Sequence, residues 1–188
     1  AEIGVVTPHL LANVAAATAL ARSCGAEPAD IRSAIRSFKL DKHRIELVAV
    51  HNGISWIDDS KATNPHATNA SLESFEHVVW IVGGLLKGVD IAPLVQSHAS
   101  RLRGAVVIGA ERQVVLDALA AHAIDVPVIE ISGEDNSQVM TQAVLAASNL
   151  AAEGDTVLLA PSSASMDQFK DYEDRGNQFA KAIGELHG

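Results

Sequence analysis

Apolar runs and polar punctuation alternate along this chain with two different periods. Residues 8–24, PHLLANVAAATALARSC, are Ala-rich, with Pro8 suited to a first helical turn and Gly25 to a stop, so they predict a helix. Glu27-Pro28 opens a second helix, expected to run to about Phe38. From about Asp41 the pattern changes. IELVAVHNGISWIDD holds two apolar runs around His51-Asn52-Gly53, and Asn-Gly between such runs is a strong hairpin signal. Further on, short apolar runs at HVVWIVGG, GAVVIG, VPVIEI and TVLLAPSS alternate with helical patterns at about 65–75, 91–101, 111–122, 136–152 and 168–186.

Strands that are apolar throughout are buried on both faces, and helices between them imply crossovers. The expected fold is α/β, a doubly wound and mostly parallel sheet over residues 41–188. Residues 1–40 form a short helical segment with no sheet of its own to cover, which reads as the tail of another domain.

Composition narrows the picture. Hydrophobic residues make up 48% and charged residues 20%, enough for a real core, and with only 4% aromatics that core is aliphatic. The net charge of −9 argues against a nucleic-acid surface but leaves room for a local basic pocket. A single cysteine, Cys24, rules out an intrachain disulfide and fits a reducing cytoplasm; it is expected as a small buried filler. No stretch reaches the length of a membrane span, and no basic region precedes an apolar one at the start. The first residue is Ala, which suggests a processed chain or an excised piece.

In an open parallel sheet, ligands bind beyond the carboxyl ends of the strands. Three of those ends carry chemistry here. After Trp56-Ile57 come Asp58, Asp59, Ser60, Lys61, Ala62, Thr63 and Asn64. After the Trp80 strand comes GGLLKG, residues 83–88, and after Leu158 comes PSSASMDQ, residues 161–168. Asn64 suits an N-cap and Pro65 a first helical residue, so a helix start faces the crevice. Lys61 and Lys87 add charge, Thr63 and Ser165 add hydroxyls, and Gly83, Gly84 and Gly88 would let backbone approach a ligand. The set suits a small anion, with Asp58 and Asp59 given another task such as ribose hydroxyls or orienting Lys61. The serine run lacks the G-x-S-x-G elbow, and neither a Walker A loop nor G-x-G-x-x-G is present. His9, His43, His51, His66 and His77 lack metal-ligand spacing, so no protein-only zinc site is expected.

These loops together resemble one family. DDSKATNPHAT at 58–68, HRIE at 43–46, GGLLKGVD at 83–90 and LLAPSSASMDQFKDYEDRGNQF at 158–179 are similar, in order, to the motifs of the Mur ligases. The first and last resemble the D-glutamate-adding branch. The resemblance implies a three-domain ATP-dependent amide ligase of peptidoglycan synthesis, acting as a cytoplasmic monomer on small molecules. This chain would be its last third, with residues 1–40 ending the central domain and 41–188 forming the amino-acid-binding domain. The P-loop and the magnesium ligands would lie in the central domain, so ATP and Mg2+ are expected mostly through residues outside this chain.

The resemblance also implies roles. Thr63 and Lys87 match residues that bind the α-carboxylate of D-glutamate, and Ser165 matches one that binds its side-chain carboxylate, helped by the backbone of Tyr172. Lys61 matches a lysine near the reacting groups, while Arg44 and Asp59 match contacts to the nucleotide's ribose and adenine side. Two positions depart from the pattern: Leu10 stands where Asn is usual, and Leu86 where Asp is common. Two other readings remain open on sequence: another Mur or folylpolyglutamate-type ligase, and a non-catalytic module that binds a nucleotide or amino acid.

Overall fold

The structure is a computed structural model and describes residues 7–132 and 135–188. The chain divides into two compact units, Ala1–Asp41 and Lys42–Gly188. In the first, helix α1 spans Pro8–Ser23 and α2 spans Pro28–Ser37. Each has proline in its first turn, where the missing N–H is no loss, and the Thr7 hydroxyl caps α1 by accepting from the N–H of Leu10. Leu10 is buried. Cys24 does not fill a core: it is the C-cap of α1, past the last turn, and is exposed.

Among the described residues, the second unit is built on six strands. They are β1 (Glu46–His51), β2 (Ile54–Asp58), β3 (Val78–Gly83), β4 (Leu102–Ile108), β5 (Val128–Glu130) and β6 (Thr156–Leu159). Helices α3 (Pro65–Glu73), α4 (Ala92–His98), α5 (Arg112–His122), α6 (Val139–Leu150) and α7 (Tyr172–His187) connect and flank them. The sheet order is β1-β2-β6-β3-β4-β5. Among the described strands, only the β1–β2 pair is antiparallel; it closes through Asn52 and Gly53, both at positive φ (50° and 74°), the conformation an Asn-Gly hairpin turn uses. The strand patterning therefore reads through to the structure. The last helix differs: it begins at Tyr172, not at about 168, because Asp171 takes the N-cap and accepts from Asp174 N–H.

Central strand β3 is buried along its whole length, as a strand covered on both faces must be. On one face Val79, Ile81, Val106, Ile108, Val157 and Leu159 pack against Met140, Ala143, Val144 and Ala147 of α6 and Phe179 and Ile183 of α7. Trp56 joins them, its ring tilted 6.2 Å from that of Phe179. Trp80 is equally buried, and its indole N–H donates to the carbonyl of Ala160, 2.8 Å away. That bond satisfies a polar group that burial would otherwise leave costly.

The end of β3 depends on a glycine. Gly83 has φ of 117°, and a Cβ there would collide with the carbonyl oxygen of Ile108 on β4. Gly154 also has positive φ, at 92°, but a Cβ there would meet nothing within 4 Å. Gly83→Ala is therefore expected to cost on the order of 3 kcal/mol, adding overpacking to backbone strain. Gly154→Ala carries the strain alone and is expected to cost about 1 kcal/mol. Urea denaturation of the two variants checks the ranking.

Candidate functional site

Because β6 inserts between β2 and β3, the loops that follow these three strands leave the sheet side by side. Backbone hydrogen bonds then tie them together. Asp59 N–H donates to Leu159 O (2.8 Å), Ser162 N–H to Ala62 O (3.0 Å) and Gly83 N–H to Pro161 O (3.0 Å). Leu85 and Ala164 exchange a pair of bonds, at 2.9 and 3.1 Å, as a short antiparallel bridge. Thr63 thus follows one tied residue, Lys87 lies two beyond another, and Ser165 follows a third. Thr63 and Lys87 are exposed and Ser165 is buried.

The glycines of this edge serve the loops rather than a ligand. Gly83 makes room for Ile108, and a Cβ on Gly84 would collide with Ala164 O and Ser163 Oγ. The close approach expected of them is thus between protein backbones; Gly88 alone has open space around it. The start of α3 is also partly used: Asn64 Oδ1 accepts from Ala67 N–H at 3.0 Å, and Pro65 has no N–H to offer.

One residue that the sequence reading left without a role lies at the centre. Arg175, on α7, is fully buried. Its Nε donates to Ser60 Oγ and its Nη2 to Ser60 O, both at 2.9 Å, while Nη1 and Nη2 reach Ser163 O at 3.3 and 3.2 Å. Ser60 Oγ in turn donates to Tyr172 O at 2.7 Å. The guanidinium so joins α7 to the β2 and β6 loops. Burial lowers its pKa to about 10, with Asp167 and Asp58 pulling the other way, so it stays charged at neutral pH. The signal that could have found it is the R-G pair of the last motif. Gly176 is there because a Cβ would collide with His43 Nδ1 and crowd Asp58 Oδ2.

His43 and Asp58 form the neighbouring pair, with Nδ1 2.7 Å from Oδ2. Asp58 Oδ1 also accepts from Ser60 N–H at 2.8 Å, and Glu46 accepts from the His43 N–H at 2.9 Å. Burial raises the Asp58 pKa against the lowering effect of these bonds. Ligand atoms of His43, Glu46 and Asp58 lie within 4.8 Å of one another, an arrangement that their spacing in sequence did not suggest. Each of the three is engaged in the internal bonds just described. Lys61 extends its ammonium over the Tyr172 ring, 5.3 Å from the centroid, a cation–π contact.

Asp59 is also buried. Its carboxylate accepts from Ser71 Oγ on α3 and from the N–H of Ile45. His43 and Ile45 both have positive φ, 62° and 47°, which is strained for a β-branched residue. Asp59 therefore helps hold the turn that presents the exposed Arg44. Desolvation pushes the Asp59 pKa up to about 6, against the bonds from Ser71 and Ile45.

A folded-state pKa above the unfolded value means stability that is complete below about pH 4 and is lost as pH rises through about 6. Asp59→Asn removes that titration. Its stability relative to wild type is expected to improve by up to roughly 3 kcal/mol between about pH 4 and about pH 7.5. Urea titrations at both pH values measure it; a difference independent of pH would mean that Asp59 titrates like a solvated carboxylate.

Residues 43–163 match the family model described as Mur ligase, glutamate ligase domain. The UDP-N-acetylmuramoylalanine–D-glutamate ligase of Leifsonia xyli subsp. xyli is 54% identical over 187 residues, covering all of this chain and 36% of that protein. The ligase of the same name from Thermobifida fusca is 49% identical over 188 residues, covering all of this chain and 40% of that protein. The chain thus spans about two fifths or less of the length of these two relatives. Among solved structures, the UDP-N-acetylmuramate-alanine ligase of Thermotoga maritima aligns with a TM-score of 0.65 at 16% identity, covering 97% of this chain and 39% of that one. MurF from Acinetobacter baumannii aligns at 0.62 and 16% identity, covering 96% of this chain and 38% of that one. At those identities the likeness is one of fold. With the fold, the tied loops and the family match over 43–163 in agreement, the chain belongs to the Mur ligases and carries their glutamate ligase domain.

Proposed function

We propose that this chain is the C-terminal, amino-acid-binding part of a cytoplasmic, monomeric ligase that uses ATP to join D-glutamate to UDP-N-acetylmuramoyl-L-alanine. Residues 1–40 are then the end of its central domain and 41–188 the domain that receives the amino acid. The observation that carries the reading is the set of backbone bonds that gathers the Thr63, Lys87 and Ser165 loops at one sheet edge. The names of the relatives with 49% and 54% identity support the substrate.

The chemistry is positioning rather than attack by a protein nucleophile. D-glutamate brings two carboxylates. Lys87 and Thr63 take the α-carboxylate, a full charge plus a hydroxyl donor, and Ser165 with the N–H of Tyr172 takes the side-chain carboxylate. Lys61, held near the Tyr172 ring, supplies positive charge next to the reacting groups. Held this way, the amine of D-glutamate faces the substrate's activated L-alanyl carboxyl, and an amide forms with loss of phosphate.

ATP supplies the activating phosphoryl group. The residues present fit its sugar side. Arg44 is exposed beside Asp59, whose carboxylate has acceptor positions left after Ser71 and Ile45. Among the described residues, they offer Mg2+ no cluster of three oxygen ligands. Among the described residues, the one cluster of three potential ligands includes a His nitrogen, a poor donor for a hard ion, and all three groups are in internal bonds. The metal and the triphosphate are accordingly expected mostly through residues outside this chain, and the chain alone is expected to turn over no ATP.

Steady-state kinetics on the full-length ligase test the assignment. Lys87→Ala and Ser165→Ala are each expected to raise KM for D-glutamate about tenfold or more, with KM for ATP near wild type. Arg44→Ala is expected to do the reverse. Unchanged D-glutamate kinetics in both of the first two variants would overturn the site. The reading frame itself should carry G-x-x-x-x-G-K-[ST] upstream of these residues; a frame without it would favour a binding module.

A further inference from the structure

Beside the lysine loop stands a carboxylate that no motif singled out. Glu111 follows Gly109-Ala110 at the end of β4 and sits at the N-cap of α5, yet its side chain does not cap that helix. Its Oε2 instead accepts from the backbone N–H groups of both Leu86 and Lys87, the latter at 3.1 Å. Its own N–H donates to Gly84 O at 3.4 Å. One residue so grips the loop at three points.

Lys87 needs that grip. Its φ is 56°, in the left-handed region, which costs a non-glycine residue about 1–2 kcal/mol. Such a conformation persists only where the surroundings over-determine it. A carboxylate accepting from two successive N–H groups makes charge-assisted bonds, stronger than neutral ones. On the other side, the Leu85–Ala164 bridge and the buried Leu86 side chain fix the loop. With both sides held, the direction in which Lys87 leaves the backbone is fixed although its side chain is exposed.

We infer that Glu111 is a positioning residue for the amino-acid substrate: by clamping the Leu86 and Lys87 amides it aims Lys87 at the incoming carboxylate. The clamp also occupies the two amides, so the loop offers the substrate an ammonium and not a backbone anion site. This rests on the proposed role of Lys87.

The test uses the full-length ligase with Glu111→Ala, Glu111→Gln, Lys87→Ala and the double variant Glu111→Ala/Lys87→Ala. Glu111→Ala is expected to raise KM for D-glutamate about tenfold, the loss of a charged hydrogen-bond acceptor, with kcat and KM for ATP near wild type. Glu111→Gln keeps an acceptor oxygen and is expected to fall between wild type and alanine; it carries the test alone should Glu111→Ala fail to fold. In the Lys87→Ala background, adding Glu111→Ala is expected to change little. A normal KM in Glu111→Ala alongside a raised one in Lys87→Ala would overturn the positioning role and leave the site reading intact. Equal effects of Glu111→Ala with and without Lys87, or a fall in kcat with both KM values altered, would make Glu111 a general support of the fold and overturn the inference. A normal KM in Lys87→Ala would overturn the reading of Lys87 itself, and the inference with it.

Discussion

Arg175 brings a full charge into a place that water does not reach, and the loop edge is organised around making that tolerable. A buried guanidinium is costly unless its donors are met, and here they are met by Ser60 and Ser163, one from the loop after β2 and one from the loop after β6. The same requirement fixes α7, because the arginine must enter from that helix. Asp58 and Asp167 add opposite charge. Asp167 also accepts from Ala110 N–H at 2.7 Å, which brings the β4 loop into the same network. A single desolvated cation thus sets the relative position of loops that come from far apart in sequence.

Around this rigid centre the polar residues separate by exposure. Thr63, Lys87 and Arg44 are exposed, where they can meet a ligand. Their supports are inside or held: the tied Ala62, the Glu111 clamp and the Asp59 bonds to Ser71 and Ile45. The separation has a physical reason. Flexible cations on the surface keep their hydration until a ligand displaces it, while the groups that aim them need fixed geometry, which burial gives. Asp59 illustrates the cost: desolvation raises its pKa to about 6.

Much of the fold was legible in the sequence. The apolar runs gave all six strands, Asn52-Gly53 gave the hairpin, and Asn64-Pro65 gave the start of α3. These are local signals, carried by propensity, period and turn chemistry. The motif loops were legible too, because polar residues directly after a buried strand must lie at its end. Other features were not. Gly83 and Gly84 looked like ligand glycines, but only the neighbouring strand and loop reveal that they admit Ile108 and Ala164. Cys24 looked like core filler, but its place one residue past the last turn of α1 leaves it exposed. Glu111 carried no signal, since an acid before a helix usually caps it and this one faces the other way.

By itself the sequence determined which segments are strands and helices, that the sheet is mostly parallel, and which residue types stand at its carboxyl edge. Those follow from hydrophobic period and turn residues, which act over a few positions. Only the tertiary structure decided that β6 lies between β2 and β3, that Arg175 joins two distant serines, and that a carboxylate from the loop after β4 holds the Lys87 backbone. Those contacts join residues up to 115 positions apart. They are selected by the burial of polar groups that must find partners, and that is a property of the packed chain and not of any local stretch of it.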